Sequence, residues 1–121
     1  MRKNILIVDD DADVRISVKN ILEHAGHEVY CAENGVACIH LLEKGFTGIL
    51  LLDLMMPLMD GWTTIKEIVK RGLEKNVNII IITAIGTARH QKMKGLEPYV
   101  HDYIAKPFDI GELLENIKKI N

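Results

Sequence analysis

Ile5-Leu6-Ile7-Val8-Asp9-Asp10-Asp11 is the stretch on which the fold turns. Its apolar residues run without alternation and stop at a row of acids. Such a run fits a strand buried on both faces, as in a parallel sheet covered by helices. Downstream, Val14, Val18, Ile21, Leu22 and Ala25 recur at helical spacing, with Asp11 or Asp13 placed to cap the start and Gly26 to stop it. Val29-Tyr30-Cys31 reads as a short second strand. A helix carrying Ala37, Cys38, Leu41 and Leu42 then runs from the Asn34-Gly35 punctuation to Gly45.

The alternation continues to the end of the chain. Ile49-Leu50-Leu51-Leu52 is a third strand, and Ile65, Ile68 and Val69 mark a helix closing near Gly72. Val77 and Ile79 to Ile82 form a fourth strand rich in β-branched residues. Thr87 to Leu96 makes a poor helix, with only Ala88, Met93 and Leu96 for an apolar face. Tyr103-Ile104-Ala105 is a fifth strand, followed by an acidic variant of the capping box, Asp109 and Glu112, ahead of Leu113, Leu114, Ile117 and Ile120. Five βα units imply an α/β fold, a doubly wound parallel sheet with helices on both faces. Strands one, three and four are the most apolar and belong in the centre. The order 2-1-3-4-5, flavodoxin-like, satisfies this and puts a topological switch point between strands one and three.

Length and composition limit the alternatives. The 121 residues make one domain, 1–121, and 48% hydrophobic against 26% charged residues suffices for a core. A net charge of −2 argues against direct capture of nucleic acid or an anionic membrane. A spanning helix needs roughly 20 apolar residues, and no uninterrupted apolar run here exceeds four. Met1-Arg2-Lys3 and the run behind it mimic the start of a signal peptide, but Asp9-Asp10-Asp11 ends the apolar stretch too soon. Cys31 and Cys38 have no disulfide-framework or metal-type spacing and are expected as buried thiols in a reducing cytoplasm.

The strand ends carry the chemistry. Asp9-Asp10-Asp11 follows strand one, Asp53 ends strand three, Thr83 ends strand four, and Lys106 follows strand five. Acids from strands one and three face each other across the switch point, without cationic neighbours in sequence. That costs stability unless a cation intervenes. Only oxygen ligands are on offer, so a hard ion is implied, and Mg²⁺ fits best. Lys106 and Thr83 supply a point charge and a hydroxyl for phosphate oxygens. Asp53, deepest in the site, can then serve as nucleophile and form an aspartyl phosphate. An acid run after a strand is ordinarily a solvated helix cap, and a Thr or a Lys-Pro pair alone means little. It is the convergence of separate strand ends on one rim that carries the inference.

At these residues the sequence resembles a response-regulator receiver domain (CheY-like), the phosphorylated half of two-component signalling. The matching stretches are Ile5-Leu6-Ile7-Val8-Asp9-Asp10, Leu52-Asp53-Leu54-Met55-Met56-Pro57-Leu58-Met59-Asp60-Gly61, Ile82-Thr83-Ala84 and Tyr103-Ile104-Ala105-Lys106-Pro107-Phe108. The resemblance implies that Asp53 accepts the phosphoryl group. It implies that Asp9 and Asp10 ligate Mg²⁺ with Asp53, and that Met55 contributes its backbone carbonyl. Lys106 would pair with the phosphoryl group, Thr83 would swing to bond it, and Tyr103 would turn inward as Thr83 moves. The Lys106–Pro107 bond is expected to be cis.

The implied function is a signalling switch rather than an enzyme. Its donor would be a sensor histidine kinase or a histidine phosphotransfer domain. An unknown downstream protein would read the face formed by the fourth helix, fifth strand and fifth helix, with the chain a monomer or a phosphorylation-dependent dimer.

Some features depart from the family. The segment from Thr83 to Lys106 is one residue longer than usual, and Pro98 is expected to end the fourth helix early. That helix is expected to be the most mobile. Met55 and Ile85, two residues beyond Asp53 and Thr83, are apolar where relatives flank the path of the hydrolytic water, so a long-lived phosphoryl group is expected. A metal-dependent phosphatase would need an acid at position 55. A binding module that is never phosphorylated would typically lack one of the acids or the lysine, and a nucleotide or flavin binder would need a Gly-rich loop after strand one. The five histidines share no ligand spacing, and Trp62 is expected to pack.

Overall fold

The computed structural model describes residues 2–84 and 95–120. In order these form β1 (Asn4–Val8), α1 (Ala12–His24), β2 (Glu28–Ala32), α2 (Gly35–Glu43), β3 (Gly48–Asp53) and α3 (Gly61–Lys70). After a 3-10 turn at Glu74–Asn76 come β4 (Val77–Ala84), a second turn at Glu97–Tyr99, β5 (Val100–Lys106) and a C-terminal helix (Ile110–Lys118). The expected fourth helix, Thr87 to Leu96, with its expected mobility, and Ile85 lie outside the described residues, except for Gly95 and Leu96, which form a turn.

All five strands are parallel, in the order β2-β1-β3-β4-β5. Alternation along each strand splits the core into two layers. Leu6, Val8, Leu50, Leu52, Ile79 and Ile81 face α2 and α3, where they meet Cys38, Leu42, Trp62, Ile65 and Ile68. Ile5, Ile7, Ile49, Leu51, Ile80 and Ile82 face the other way, toward Val18 and Leu22 of α1 and Leu113 and Ile117 of the C-terminal helix. Each such side chain contributes roughly 1.5–3 kcal/mol by leaving water. Strands buried on both faces therefore read as unbroken apolar runs.

The outer strands behave as edges. β2 exposes Tyr30 and Cys31, so the expectation of two buried thiols fails for Cys31, which lies on an edge strand, and holds for Cys38. In β5 a register shift separates Ile79↔Val100 from Ile80↔Asp102, which leaves His101 without a ladder partner.

Side-chain caps start the helices as their sequences suggest. Asp11 accepts from the Asp13 N–H at 2.9 Å, Asn34 from Ala37 at 2.8 Å and Asp60 from Thr63 at 2.8 Å. Asp109 accepts from the Gly111 N–H at 3.2 Å instead of from the Glu112 amide that a capping box would use. Two glycines permit close backbone approach. At Gly48 (φ +145°) a Cβ would sit 2.3 Å from the Asn4 carbonyl oxygen, and at Gly61 it would sit 2.7 Å from that of Asp53. The second approach seats the start of α3 directly against the end of β3.

Candidate functional site

The parallel sheet brings its carboxyl-end residues to one edge. Asp9 follows β1 with its N–H bonded to the Ala32 carbonyl at 3.2 Å, and Asp53 is the last residue of β3. Thr83 sits in β4 opposite Ala105, and Lys106 closes β5 opposite Ala84. Asp9, Asp53 and Thr83 are buried, whereas Asp10 and Met55 are exposed. Carboxylate oxygens of Asp9, Asp10 and Asp53 lie within 4.8 Å of one another. No histidine among the described residues joins them.

Lys106 is the cation that makes this crowding tolerable. Its Nζ donates to Asp9 Oδ2 at 2.6 Å and stands 3.5 Å from Asp53 Oδ2. The cluster still holds three carboxylates against one ammonium. Burial first, then the charge of Asp9, push the Asp53 carboxyl up to about 6, against the opposing pull of Lys106 and of the Met55 N–H, which donates to Asp53 Oδ1 at 3.1 Å. Burial alone would lower the Lys106 ammonium, but its hydrogen bond to Asp9 and the charges of Asp53 and Asp9 carry it above its ordinary value. An all-oxygen donor set with excess negative charge suits a hard divalent cation.

Thr83 adds a telling detail. Its Oγ1 is buried without a hydrogen-bond partner among the described residues. A buried hydroxyl without a partner costs free energy, so an acceptor arriving at this rim gains a ready donor. Tyr103, also in β5, is 36% exposed, and burial of the ring with the charge of Glu97 raises its hydroxyl above the usual tyrosine range. The Lys106–Pro107 bond is cis, as expected. Beside Lys106 a groove of about 480 Å³ opens between α1 and the turn after β5, lined by Asp13, Val14, Ser17, Pro107 and Phe108.

The structure thus brings Asp9, Asp10, Asp53, Thr83 and Lys106 together, with Met55 in contact through its backbone. Trp62, at the start of α3, packs in the core as expected. One residue escaped the sequence reading. Arg15 of α1 donates through Nη1 to the Asp9 carbonyl at 2.6 Å, so the acids do have a cationic neighbour in sequence. Six residues separate the two, the length of a strand end plus one helical turn. That spacing was the available signal.

Comparison with known proteins agrees with this geometry. The family model described as response regulator receiver domain matches residues 5–118. Sporulation initiation phosphotransferase F of Bacillus subtilis (strain 168) is 34% identical over 120 residues, covering 98% of this chain and 94% of that protein. The transcriptional regulatory protein CusR of Escherichia coli (strain K12) is 34% identical over 96% of this chain, which spans only 50% of CusR. Likewise the chain spans 47% of the probable transcriptional regulator ycf27 of Porphyra purpurea. Among solved structures, a CheY-like receiver domain protein from Methanospirillum hungatei JF-1 superimposes with a TM-score of 0.89 at 52% identity, covering 94% of this chain and 90% of that one. The response regulator TrrA of Thermotoga maritima, solved in complex with Mg(2+)-BeF, does so at 0.84 and 31%, covering 98% and 99%.

Proposed function

The chain belongs to the response regulator receiver domain family of two-component systems, and from there we propose that it accepts a phosphoryl group on Asp53 in a Mg²⁺-dependent reaction. The observation that carries the reading is the setting of Asp53: buried at the end of β3, between Asp9 and Lys106, with the unpartnered Thr83 hydroxyl on the adjacent strand. The donor is the phosphohistidine of a sensor histidine kinase or of a histidine phosphotransfer domain. An Asp53 carboxylate oxygen attacks phosphorus, the bond from phosphorus to the imidazole nitrogen breaks, and that nitrogen keeps the electron pair.

Asp9, Asp10 and Asp53 would hold Mg²⁺ with the Met55 carbonyl. The ion supplies neutralisation of phosphoryl charge. Lys106 binds a phosphoryl oxygen as its charge is shared away from Asp9, and Thr83 donates its hydroxyl to another. The strand carrying Lys106 also carries Tyr103, so rearrangement at the rim is communicated to the face built from β5, the segment before it and the C-terminal helix. Phosphorylation shifts that face only by its differential interaction with the two states. Residues 1–121 act as one such switch, cytoplasmic, as a monomer or a phosphorylation-dependent dimer, with an unidentified protein as reader. With an exposed Met55 where a polar side chain would orient water, the phosphoryl group is long-lived.

Intact mass after incubation with acetyl phosphate tests this, with and without Mg²⁺ and beside Asp53→Asn. A single phosphoryl adduct requiring both Mg²⁺ and Asp53 is expected. No adduct and no Mg²⁺ binding would overturn the reading.

A further inference from the structure

The geometry points to Arg15 as a positioning residue for the Mg²⁺-binding turn, acting through the main chain of Asp9 and touching none of the reacting groups. This rests on the reading of Asp9, Asp10 and Asp53 as Mg²⁺ ligands. Every polar atom of Asp9 is held. Its N–H donates to Ala32 in β2 at 3.2 Å, its Oδ1 accepts from the Asp11 N–H at 3.0 Å, and its Oδ2 accepts from Lys106 at 2.6 Å. The remaining atom is the carbonyl oxygen, which accepts from the Arg15 guanidinium at 2.6 Å. Arg15 also donates its own N–H to the Asp11 carbonyl at 3.1 Å, so one residue of α1 grips both ends of the turn.

The carbonyl matters because it belongs to the peptide unit that links Asp9 to Asp10. That unit is planar and rotates as a body. Fixing its oxygen fixes the plane, and with it the Asp10 nitrogen and Cα, which limits the direction in which the Asp10 side chain leaves the backbone. Asp10 is exposed, so packing does not set that direction. A charge-assisted bond of this length is among the stronger ones available to a carbonyl.

This role differs in sign from the two plain alternatives. A guanidinium acting only by its charge repels a divalent cation, so removing it would tighten Mg²⁺ binding. A guanidinium that only braces the fold would alter stability and leave Mg²⁺ affinity alone. A positioning role predicts weaker Mg²⁺ binding when the bond is lost.

The test is isothermal titration of the metal-free chain with MgCl₂ for wild type, Arg15→Gln and Arg15→Lys. Arg2→Gln, which removes a cation paired with Glu28 away from the site, controls for net charge. Arg15→Gln is expected to weaken Mg²⁺ binding about ten-fold, the size of effect usual for groups that orient metal ligands. Arg15→Lys, with a shorter reach and no fork, is expected to fall between it and wild type, and Arg2→Gln to match wild type. Amide resonances of Asp10 and Asp11 should shift in the metal-free Arg15→Gln chain. Unchanged or tighter Mg²⁺ binding in Arg15→Gln would overturn the proposal. If that variant does not fold, Arg15→Lys decides, with weaker binding in support and wild-type binding against. A wild-type chain that binds no Mg²⁺ would instead overturn the ligand assignment beneath it.

Discussion

Replacing Asp53 by asparagine should make the metal-free protein more stable, and the size of the gain follows from the site. In the folded chain the Asp53 carboxyl titrates at about 6 instead of 3.8, so ionising it there costs about 3 kcal/mol more than in the unfolded chain. The raised value means that the folded state binds this proton more tightly than the unfolded state does. Its stabilisation is complete below about pH 4 and is lost as pH rises through about 6. The side-chain amide introduced by Asp53→Asn carries no charge at any pH and keeps an oxygen for the Met55 N–H. Lys106 keeps its closer partner, Asp9, at 2.6 Å. Urea unfolding in EDTA at pH values from about 4 to 8 should therefore show the two proteins nearly equal in acid and diverging to a plateau above about pH 6. With a slope of about 2 kcal/mol per molar urea, the plateau corresponds to roughly 1.5 M in midpoint. Millimolar Mg²⁺ should narrow the gap by stabilising the wild type through binding. Parallel pH profiles, or an Asp53→Asn chain that is less stable than wild type at neutral pH, would refute the account of a crowded, charge-frustrated carboxylate.

Other variants probe separate features. Lys106→Met leaves Asp9 and Asp53 buried without their shared cation, and should cost about 2 kcal/mol in metal-free urea unfolding while abolishing the acetyl phosphate adduct. Leu58 is fully exposed at φ +68°, so Leu58→Gly should raise stability by about 0.5–1 kcal/mol in the same unfolding assay, because relief of the left-handed backbone outweighs the added freedom of the unfolded chain. Gly61→Ala drives a methyl group into the backbone at Asp53 and Leu54, and should destabilise by about 2 kcal/mol or more. It should also slow adduct formation, and a wild-type rate would show that the loop beneath Asp53 tolerates displacement.

Much of this was readable before any coordinates. Unbroken apolar runs marked the central strands because both faces are covered, and the rim residues were found because each sits at a strand end that the chain itself announces. Pairings between distant segments were not readable. The Lys106–Asp9 contact joins residues 97 apart, and nothing local tells that the ammonium sits closer to Asp9 than to Asp53. Arg15 went unread because helical periodicity says nothing of a side chain that reaches back to the preceding strand. Cys31 looked buried because a short strand of mixed residues does not reveal how much of an edge its covering helix leaves open. Leu58 gave no sign of its backbone, since glycine and asparagine are the residues that ordinarily mark left-handed turns.

The unpaired His101 has a reach beyond its own position. By absorbing one residue at the entrance to β5, the bulge lets Tyr103 face Ile81 and Lys106 face Ala84 in ordinary register. A change of length upstream is taken up as slack before it arrives at the lysine. The turn at Glu97–Tyr99 can therefore vary in sequence and length while the geometry at the rim stays in place, so that the carboxyl edge of one small sheet is insulated from change at its flank.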